Sequence, residues 1–237
     1  FSSYSTDLFL RNVFFSYPDS SSEGINVNLK LSPGKLYGLS GSSGSGKTTL
    51  MNLIMGFLPL KSGQITLGAL GQGGVVNPEW LNQYSFMPQT VFLTEGTLLW
   101  NITGQNEKDV DYDRLKNVIY TADLEDLISE VTLEYLIVHT VDGIGVGLSG
   151  GQRQRVGLAQ CLYRQANFYL MDEPTASVSH DRAIVILERC KQFLKDKIVI
   201  ISSHDINILS MSDEVIKFGS SDRTKQSMVK KVVNYKC

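Results

Sequence analysis

The fold of this chain is decided by Lys35-Leu36-Tyr37-Gly38-Leu39-Ser40-Gly41-Ser42-Ser43-Gly44-Ser45-Gly46-Lys47-Thr48. Its last eight residues match the phosphate-binding P-loop pattern, Gly-x-x-x-x-Gly-Lys-Ser/Thr, at every fixed position. The apolar residues before the loop predict a short buried strand. Apolar residues at three- and four-residue spacing after it predict a helix that Pro59 ends. A strand, a glycine-rich loop and a helix in this order are the context that a P-loop requires.

Apolar segments of strand length alternate with helical patterns along most of the chain. Such alternation predicts a parallel sheet that is covered by helices on both faces. The predicted strands are residues 8–17, 25–31, 35–40, 64–67, 83–87, 168–172, 197–202 and 214–218. After the P-loop helix, the pattern predicts a helix over residues 181–194 and a short one from about residue 205.

Three segments lie outside this alternation. Residues 68–74 are rich in glycine and predict a flexible loop. Residues from about 95 to 166 are mostly helical by pattern, and we expect them to form a helical insertion rather than part of the sheet. The polar tail from Gly219 is typical of a solvated end rather than a binding site.

Composition limits the class of protein. The chain has 237 residues, of which 42% are hydrophobic, so it can bury a substantial core. A net charge of -2 gives no electrostatic case for a nucleic-acid partner. No apolar run is long enough for a membrane helix, no secretory leader is visible, and a first residue other than Met indicates a piece of a longer protein. The three cysteines lack metal-ligand spacing and are expected to be reduced thiols.

A second glycine-rich segment, Leu148-Ser149-Gly150-Gly151-Gln152, stands directly before a long helical pattern. Ser149 is a good helix cap whatever else it does. Two glycines and a glutamine exceed what a cap alone requires. The excess predicts an oxyanion contact through the Ser149 hydroxyl and the glycine amides.

The residue types of the P-loop suit a triphosphate, although a glycine-serine loop without a ligand is the alternative. Glycines let successive backbone N–H groups converge on phosphate oxygens, and the helix directs its positive end to the same point. Lys47 can reach the β- and γ-phosphates, and Thr48 offers a hydroxyl to Mg²⁺.

Two carboxylates end the apolar strand 168–172. Asp172 is expected to hold the magnesium ion, directly or through water, and Glu173 to act as general base on the attacking water. Strand-end acids also serve as helix caps, and Pro174 suits a turn. Together with a P-loop, the pair predicts a chain that binds and cleaves a nucleoside triphosphate.

The P-loop, Leu148–Gln152, Met171-Asp172-Glu173-Pro174 and Ser203-His204-Asp205, in this order and spacing, resemble the nucleotide-binding domain of an ATP-binding cassette (ABC) transporter. The resemblance covers nearly the whole chain. It implies an α/β P-loop NTPase fold of the ABC type, with a parallel-sheet ATPase core, an antiparallel β-subdomain and a helical subdomain. Within a single domain of residues 1–237, the core would comprise 1–94 and 167–237, and the helical subdomain 95–166 would carry the signature motif.

The resemblance also implies roles for single residues. Tyr17 would stack on adenine, Gln89 would reach the magnesium ion or water, and His204 would contact the γ-phosphate. Read alone, these three residues are typical of a surface tyrosine, a loop glutamine and a turn histidine. The implied catalytic residues are Glu173, His204 and Gln89, and the implied metal ligands are Thr48, Gln89 and Asp172. The implied nucleotide-binding residues are Tyr17, Gly41, Ser42, Ser43, Gly44, Ser45, Gly46, Lys47, Thr48, Thr49, Ser149, Gly150, Gly151 and Gln152.

The family resemblance implies function and partners. The chain would bind ATP and Mg²⁺, and would pair with a second nucleotide-binding domain, identical or different, so that two nucleotides are enclosed. The other partner would be the transmembrane domains of the same or a partner chain, and this chain would lie at the cytoplasmic face of the membrane. The reaction would be ATP hydrolysis coupled to transport, and the sequence has features of an exporter. The alternatives are a nucleotide-gated regulatory domain of low turnover and a soluble ABC ATPase.

Two positions depart from the family pattern. Ser179 stands where the family usually has an aspartate, in a loop that would cross the dimer interface. Asp142, in Val141-Asp142-Gly143, keeps an acid before the signature segment but shifts it by one position. The Ser179 departure is expected to alter communication between the two nucleotide sites, and the position of Asp142 corresponds to a family segment that touches the membrane domains. The sequence does not identify the transported substrate.

Overall fold

The computed structural model describes residues 6–18, 24–73, 77–130, 137–141, 144–146, 148–218 and 229–233. The chain forms two compact units. The first unit comprises Phe1–Tyr84, Ala166–Leu170 and Leu194–Cys237, and the second comprises Ser85–Gln165 and Met171–Phe193. In the described part of the chain, no helix is both long and apolar enough to cross a membrane.

Thirteen strands and eight α-helices follow one another along the described residues. The strands are β1 (Leu8–Phe15), β2 (Ile25–Leu31), β3 (Lys35–Ser40), β4 (Ser62–Leu67), β5 (Leu70–Gly71), β6 (Tyr84–Met87), β7 (Gly96–Thr97), β8 (Ile137–Val141), β9 (Ile144–Val146), β10 (Phe168–Asp172), β11 (Ile198–Ser202), β12 (Glu214–Phe218) and β13 (Val229–Val233). The helices are α1 (Lys47–Met55), α2 (Pro78–Leu81), α3 (Leu98–Thr103), α4 (Tyr112–Thr121), α5 (Glu125–Glu130), α6 (Gly150–Tyr163), α7 (His180–Phe193) and α8 (Ile206–Ser210).

An antiparallel sheet in the first unit has the strand order β2-β1-β4-β5. In β1 the side chains of Leu8, Leu10, Val13 and Phe15 are buried, and the alternation is interrupted between Leu10 and Val13. The register against β2 shifts at the same place, where Asn12 adopts a φ of 49°. A β-bulge therefore keeps Leu10 and Val13 on the buried face although they are three residues apart.

The central sheet of the first unit has neighbouring strands in the order β13, β12, β3, β11 and β10. Strand β3 pairs in parallel with β11 on one side and with β12 on the other. Every residue of β11 is buried, as expected for a strand covered on both faces. The predicted α/β fold, with a parallel and an antiparallel sheet, is confirmed.

Helix α6 is the central helix of the second unit. Nine of its residues are buried, including Gln154 and Arg155, and it contacts α3 and α4. The unit also contains a three-stranded sheet of order β7-β8-β9. Residues 95–166 were predicted to be mostly helical and to form a helical insertion; they contain α3 to α6, and the pattern did not show that β7, β8 and β9 pair into a separate sheet.

Three arginines in the second unit converge on the connection between α4 and α5. Asp123 accepts Nε of Arg182 at 2.7 Å and Nη1 of Arg189 at 3.3 Å. The guanidinium of Arg155, from α6, donates to the Asp123 carbonyl oxygen and reaches the Asp126 carboxylate at 2.9 Å. We name these five side chains the arginine cluster. It joins α6 and α7 to the α4–α5 connection.

Other segments also differ from the predictions. Helix α1 ends at Met55 rather than near Pro59, because Gly56 takes a left-handed conformation with a φ of 83° and its N–H closes the helix. The glycine-rich segment after β4 contains β5, so it is not only a loop. Residues 229–233 of the tail form β13, which pairs antiparallel with β12. Asp142 lies outside the described residues.

Candidate nucleotide-binding site

The predicted site residues are divided between the two units. The first unit contains Tyr17, the P-loop, Thr49 and His204. The second contains Gln89, Ser149–Gln152, Asp172 and Glu173.

The P-loop connects the end of β3 to the start of α1. Gly44 and Gly46 have φ values of 75° and 105°, which L-residues with side chains rarely adopt. The Ser45 N–H donates to the Ser42 carbonyl oxygen at 3.1 Å and closes the turn. Gly46 is the N-cap of α1 and provides no side-chain cap, so the first-turn N–H groups of this helix are suited to an anionic ligand.

Lys47 is held across the loop that precedes it. Its ammonium group donates to the carbonyl oxygens of Gly41 at 2.7 Å and Ser42 at 3.1 Å, and the residue is buried. A lysine ammonium carries three N–H donors. Two of them fix the side chain along the loop, which leaves donor capacity for a phosphate oxygen.

The loop fits a magnesium-bound polyphosphate. The Ser45 hydroxyl oxygen is buried and has no hydrogen-bond partner within the described residues. A Cβ atom at Gly41 would lie 2.4 Å from that hydroxyl, so a side chain there would fill the loop. A Cβ at Gly44 would meet nothing within 4 Å, which leaves open space beside the backbone. Backbone amides, serine and threonine hydroxyls and one ammonium are the groups that such a ligand requires.

Tyr17 has a ring that is available for stacking. It is 48% exposed, contacts Phe15 edge-on at a centroid distance of 4.9 Å, and has its hydroxyl oxygen 3.4 Å from Thr49 Oγ1. The Phe15 contact fixes the orientation of the ring without covering both faces. An exposed, oriented aromatic ring beside α1 suits a nucleobase.

His204 lies at the same sheet edge as the P-loop. Strands β3 and β11 are parallel neighbours, and the Ser203 N–H donates to the Leu39 carbonyl oxygen at 3.4 Å. The flanking residues have local roles, because Asp205 caps α8 and the Ser203 hydroxyl accepts the Asp205 N–H. His204 itself is exposed.

Asp172 and Glu173 follow each other at the end of β10, and both are buried. Glu173 has a φ of 54°, one of three positive values at non-glycine residues in the described chain. This conformation costs an L-residue roughly 1–2 kcal/mol. Its neighbours must therefore hold it in place.

The segment Ser149–Gln152 forms a capping box at the start of α6. The Ser149 hydroxyl accepts the Gln152 N–H at 3.2 Å, and the Gln152 side-chain oxygen accepts the Ser149 N–H at 2.8 Å. A Cβ at Gly151 would lie 2.8 Å from the Ser177 carbonyl oxygen. The capping box thus explains Gln152, which the sequence analysis did not expect, whereas Gly151 is explained by its close approach to the Ser177 backbone rather than by a cap. The nucleotide-binding role of the segment stays a prediction.

Gln89 is exposed in the bend after β6. Close behind it, Val91 packs against α6, where the absence of a side chain at Gly157 makes room: a Cβ there would lie 2.4 Å from Val91 Cγ2. The sequence analysis missed this contact. It also missed Gln154, whose side-chain amide donates to the backbone carbonyl oxygen of Glu173. The only available signal was a polar residue on a helix face that is otherwise apolar.

Comparison with known proteins shows the family. The sequence profile described as "ABC transporter" matches residues 25–176. The chain is 31% identical over 233 residues to the alpha-hemolysin translocation ATP-binding protein HlyB of Escherichia coli, covering 96% of this chain and 32% of that protein. It is 26% identical over 213 residues to the ATP-dependent lipid A-core flippase of Cupriavidus pinatubonensis, covering 89% of this chain and 36% of that protein.

A solved structure shows the same fold. The structure of a bacterial Atm1-family ABC exporter with ATP bound superimposes with a TM-score of 0.77 and 22% sequence identity, and it covers 90% of this chain and 37% of that one. The chain thus spans about a third of the length of each of these relatives. The chain belongs to the ABC transporter family.

Proposed function

We propose that this chain binds Mg-ATP and hydrolyses it to drive translocation of a substrate by a membrane exporter. The observation that carries the proposal is the P-loop. Lys47 is held along the loop by two carbonyl oxygens, and Gly44 and Gly46 turn the backbone toward the start of α1. A buried ammonium and uncapped helix amides concentrate positive potential where a triphosphate would lie.

The nucleotide would be recognised at three places by residues of the first unit. Tyr17 stacks on the base, the amides of residues 41–48 and Thr49 bind the phosphates, and His204 contacts the terminal phosphate. Oriented donors of this kind stabilise the charge that develops on the phosphate oxygens during transfer.

Hydrolysis would need a bound magnesium ion and a general base. Thr48, Asp172 and Gln89 would hold the magnesium ion, which would neutralise negative charge on the phosphate oxygens. The Glu173 carboxylate accepts a proton from the attacking water. Glu173 is buried, and its backbone adopts a constrained positive φ.

The partners of the domain would be a second nucleotide-binding domain and the transmembrane domains of an exporter, at the cytoplasmic face of a membrane. Ser149–Gln152 of one domain would close over the nucleotide held by the P-loop of the other. Residues 1–94 and 167–237 would act as the ATPase core, and residues 95–166 as the helical subdomain. The resemblance of the chain to translocation ATP-binding proteins and flippases supports this assignment.

The test is to replace Glu173 by Gln. Loss of a general base lowers the rate of hydrolysis by at least about a hundredfold, whereas the P-loop is unchanged. Phosphate release by the purified protein measures the rate, and equilibrium dialysis with radiolabelled ATP measures binding. We expect turnover to be lost and binding to be kept.

Glu188→Gln is the matched control, because Glu188 is an exposed glutamate on α7 of the same unit. It is expected to hydrolyse ATP at the parent rate. Hydrolysis by the Glu173 variant at the parent rate would show that the base is misassigned. A parent protein that binds ATP but does not turn it over would instead support the regulatory alternative.

A further inference from the structure

Gln154 joins helix α6 to the backbone at both ends of residues 173–177, which we name the Glu173 turn. Its Nε2 donates to the Glu173 carbonyl oxygen at 2.7 Å, and its Oε1 accepts the Ser177 N–H at 2.5 Å. The side chain is buried, and all three residues belong to the second unit. The two partners, one acceptor and one donor, also fix which end of the amide is nitrogen.

The same face of α6 contacts this turn one helical turn earlier. A Cβ at Gly151 would lie 2.8 Å from the Ser177 carbonyl oxygen, so the backbone of α6 and the turn approach closely there. Residues 151 and 154 are three apart and therefore lie on one face of the helix. The turn is thus held at two points by a rigid element.

The turn needs such support. Glu173 is buried and adopts a φ of 54°, a conformation that persists only where the surroundings fix it. Within the turn, the Ala176 N–H reaches the Glu173 carbonyl oxygen at only 3.3 Å. The 2.7 Å bond from Gln154 is the shorter of these two bonds to that oxygen.

We propose that Gln154 is the positioning residue of Glu173. Only an uncharged carboxamide of this length donates to one backbone group and accepts from another, so its chemistry fits both ends of the turn. By fixing the Glu173 backbone, it fixes the direction of the carboxylate. The proposal rests on the function proposed above, because that function makes Glu173 the general base.

The test variant is Gln154→Met, which keeps the length of the side chain and removes both hydrogen bonds. A base displaced by a fraction of an ångström to one ångström loses roughly tenfold to a hundredfold in rate. We expect kcat for ATP hydrolysis to fall by that factor and KM to stay within about twofold, because the Gln154 amide is engaged with the Glu173 and Ser177 backbone and is not among the residues proposed to bind ATP. Gln160→Met, at an exposed glutamine of the same helix, is expected to change neither constant.

A double variant separates positioning from an independent effect. If Gln154 acts through Glu173, then Gln154→Met lowers the residual rate of a Glu173→Gln protein by less than about twofold. The proposal is refuted if the double variant loses rate by the product of the factors that the two single variants lose. It is also refuted if the Gln154→Met protein has the kcat of the parent. Gln154→Glu, which keeps the acceptor and loses the donor, decides the question if the methionine variant does not fold.

Hydrogen exchange provides a readout that does not need ATPase activity. The Ser177 amide loses its acceptor in Gln154→Met, so the peptide that spans residues 173–178 exchanges faster in that variant and not in Gln160→Met. Unchanged exchange would show that the two Gln154 hydrogen bonds, which together we name the clamp, do not hold the Glu173 turn. A parent protein without ATPase activity, in which the exchange effect is nevertheless present, would refute the proposed function and leave the clamp intact.

Discussion

Replacement of Arg155 by Met removes the buried member of the arginine cluster. The side chain of Arg155 is 4% exposed, whereas that of Arg182 is 41% exposed. Methionine retains much of the apolar stem, so the change removes mainly the charge and its hydrogen bonds. The comparison of the two positions therefore measures what burial adds to an ion pair.

The magnitude follows from what remains after the replacement. Breaking a buried ion pair by removal of one partner costs roughly 3–5 kcal/mol. Here Asp123 keeps Arg182 and Arg189, and Asp126 is about half exposed and keeps Arg182. Because these contacts and solvent offset part of the loss, we expect a cost of about 2 kcal/mol for Arg155→Met. Arg182→Met should cost about 0–1 kcal/mol, as exposed pairs do.

Two cysteines of the second unit report the opening of this region. Cys161 on α6 and Cys190 on α7 are buried free thiols, and burial raises the pKa of Cys161 to about 12. They react with a maleimide only after the helices separate. The assay uses a Cys237→Ser protein, in which Cys161 and Cys190 are the remaining thiols. When the region closes faster than the maleimide reacts, the labelling rate follows the free energy of opening. A decrease of about 2 kcal/mol in that free energy then accelerates labelling roughly 30-fold.

The reasoning is refuted if Arg155→Met labels no faster than the parent. That result would mean that the Asp123 and Asp126 carboxylates are satisfied without the buried arginine. Equal acceleration by both variants would assign the stability to the whole cluster rather than to burial of one member.

Two further predictions concern the stability of the second unit. The hydrogen bond from Arg155 holds the pKa of Asp126 below its ordinary value, so the contribution of this contact is complete above about pH 4 and is lost as the pH falls through the folded-state pKa. Urea denaturation measures the free energy of unfolding of the parent and of Arg155→Met. The difference between the two should be constant between pH 7 and about pH 5 and should shrink near pH 3. A difference that grows at low pH would contradict this prediction. Gly157→Ala should cost about 1 kcal/mol in the parent, because the new Cβ meets both Cγ atoms of Val91, and should cost less in a Val91→Ala protein, where only the Cβ at 3.1 Å remains and the helix propensity of alanine offsets that contact. An equal cost in both backgrounds would exclude the steric explanation.

The sequence predicted the elements whose local pattern is strong. Strands β2, β3, β10 and β12 have the predicted bounds, because each contains apolar residues, continuous or alternating with polar ones, over a length typical of a strand. It did not predict β13 or the sheet β7-β8-β9. Their strands are short, or their neighbours are distant in sequence, so pairing depends on the folded surroundings.

For the site, the sequence by itself determined the chemistry. The spacing of glycines, Lys47 and Thr48 specifies a phosphate loop, because backbone conformation and helix polarity are local properties. Only the tertiary structure decided how Glu173 is held. The bonds from Gln154 join residues that are 19 and 23 positions apart, and the arginine cluster joins α6 and α7 to the α4–α5 connection. Such contacts depend on the packing of α6 against its neighbours, and no local pattern specifies that packing.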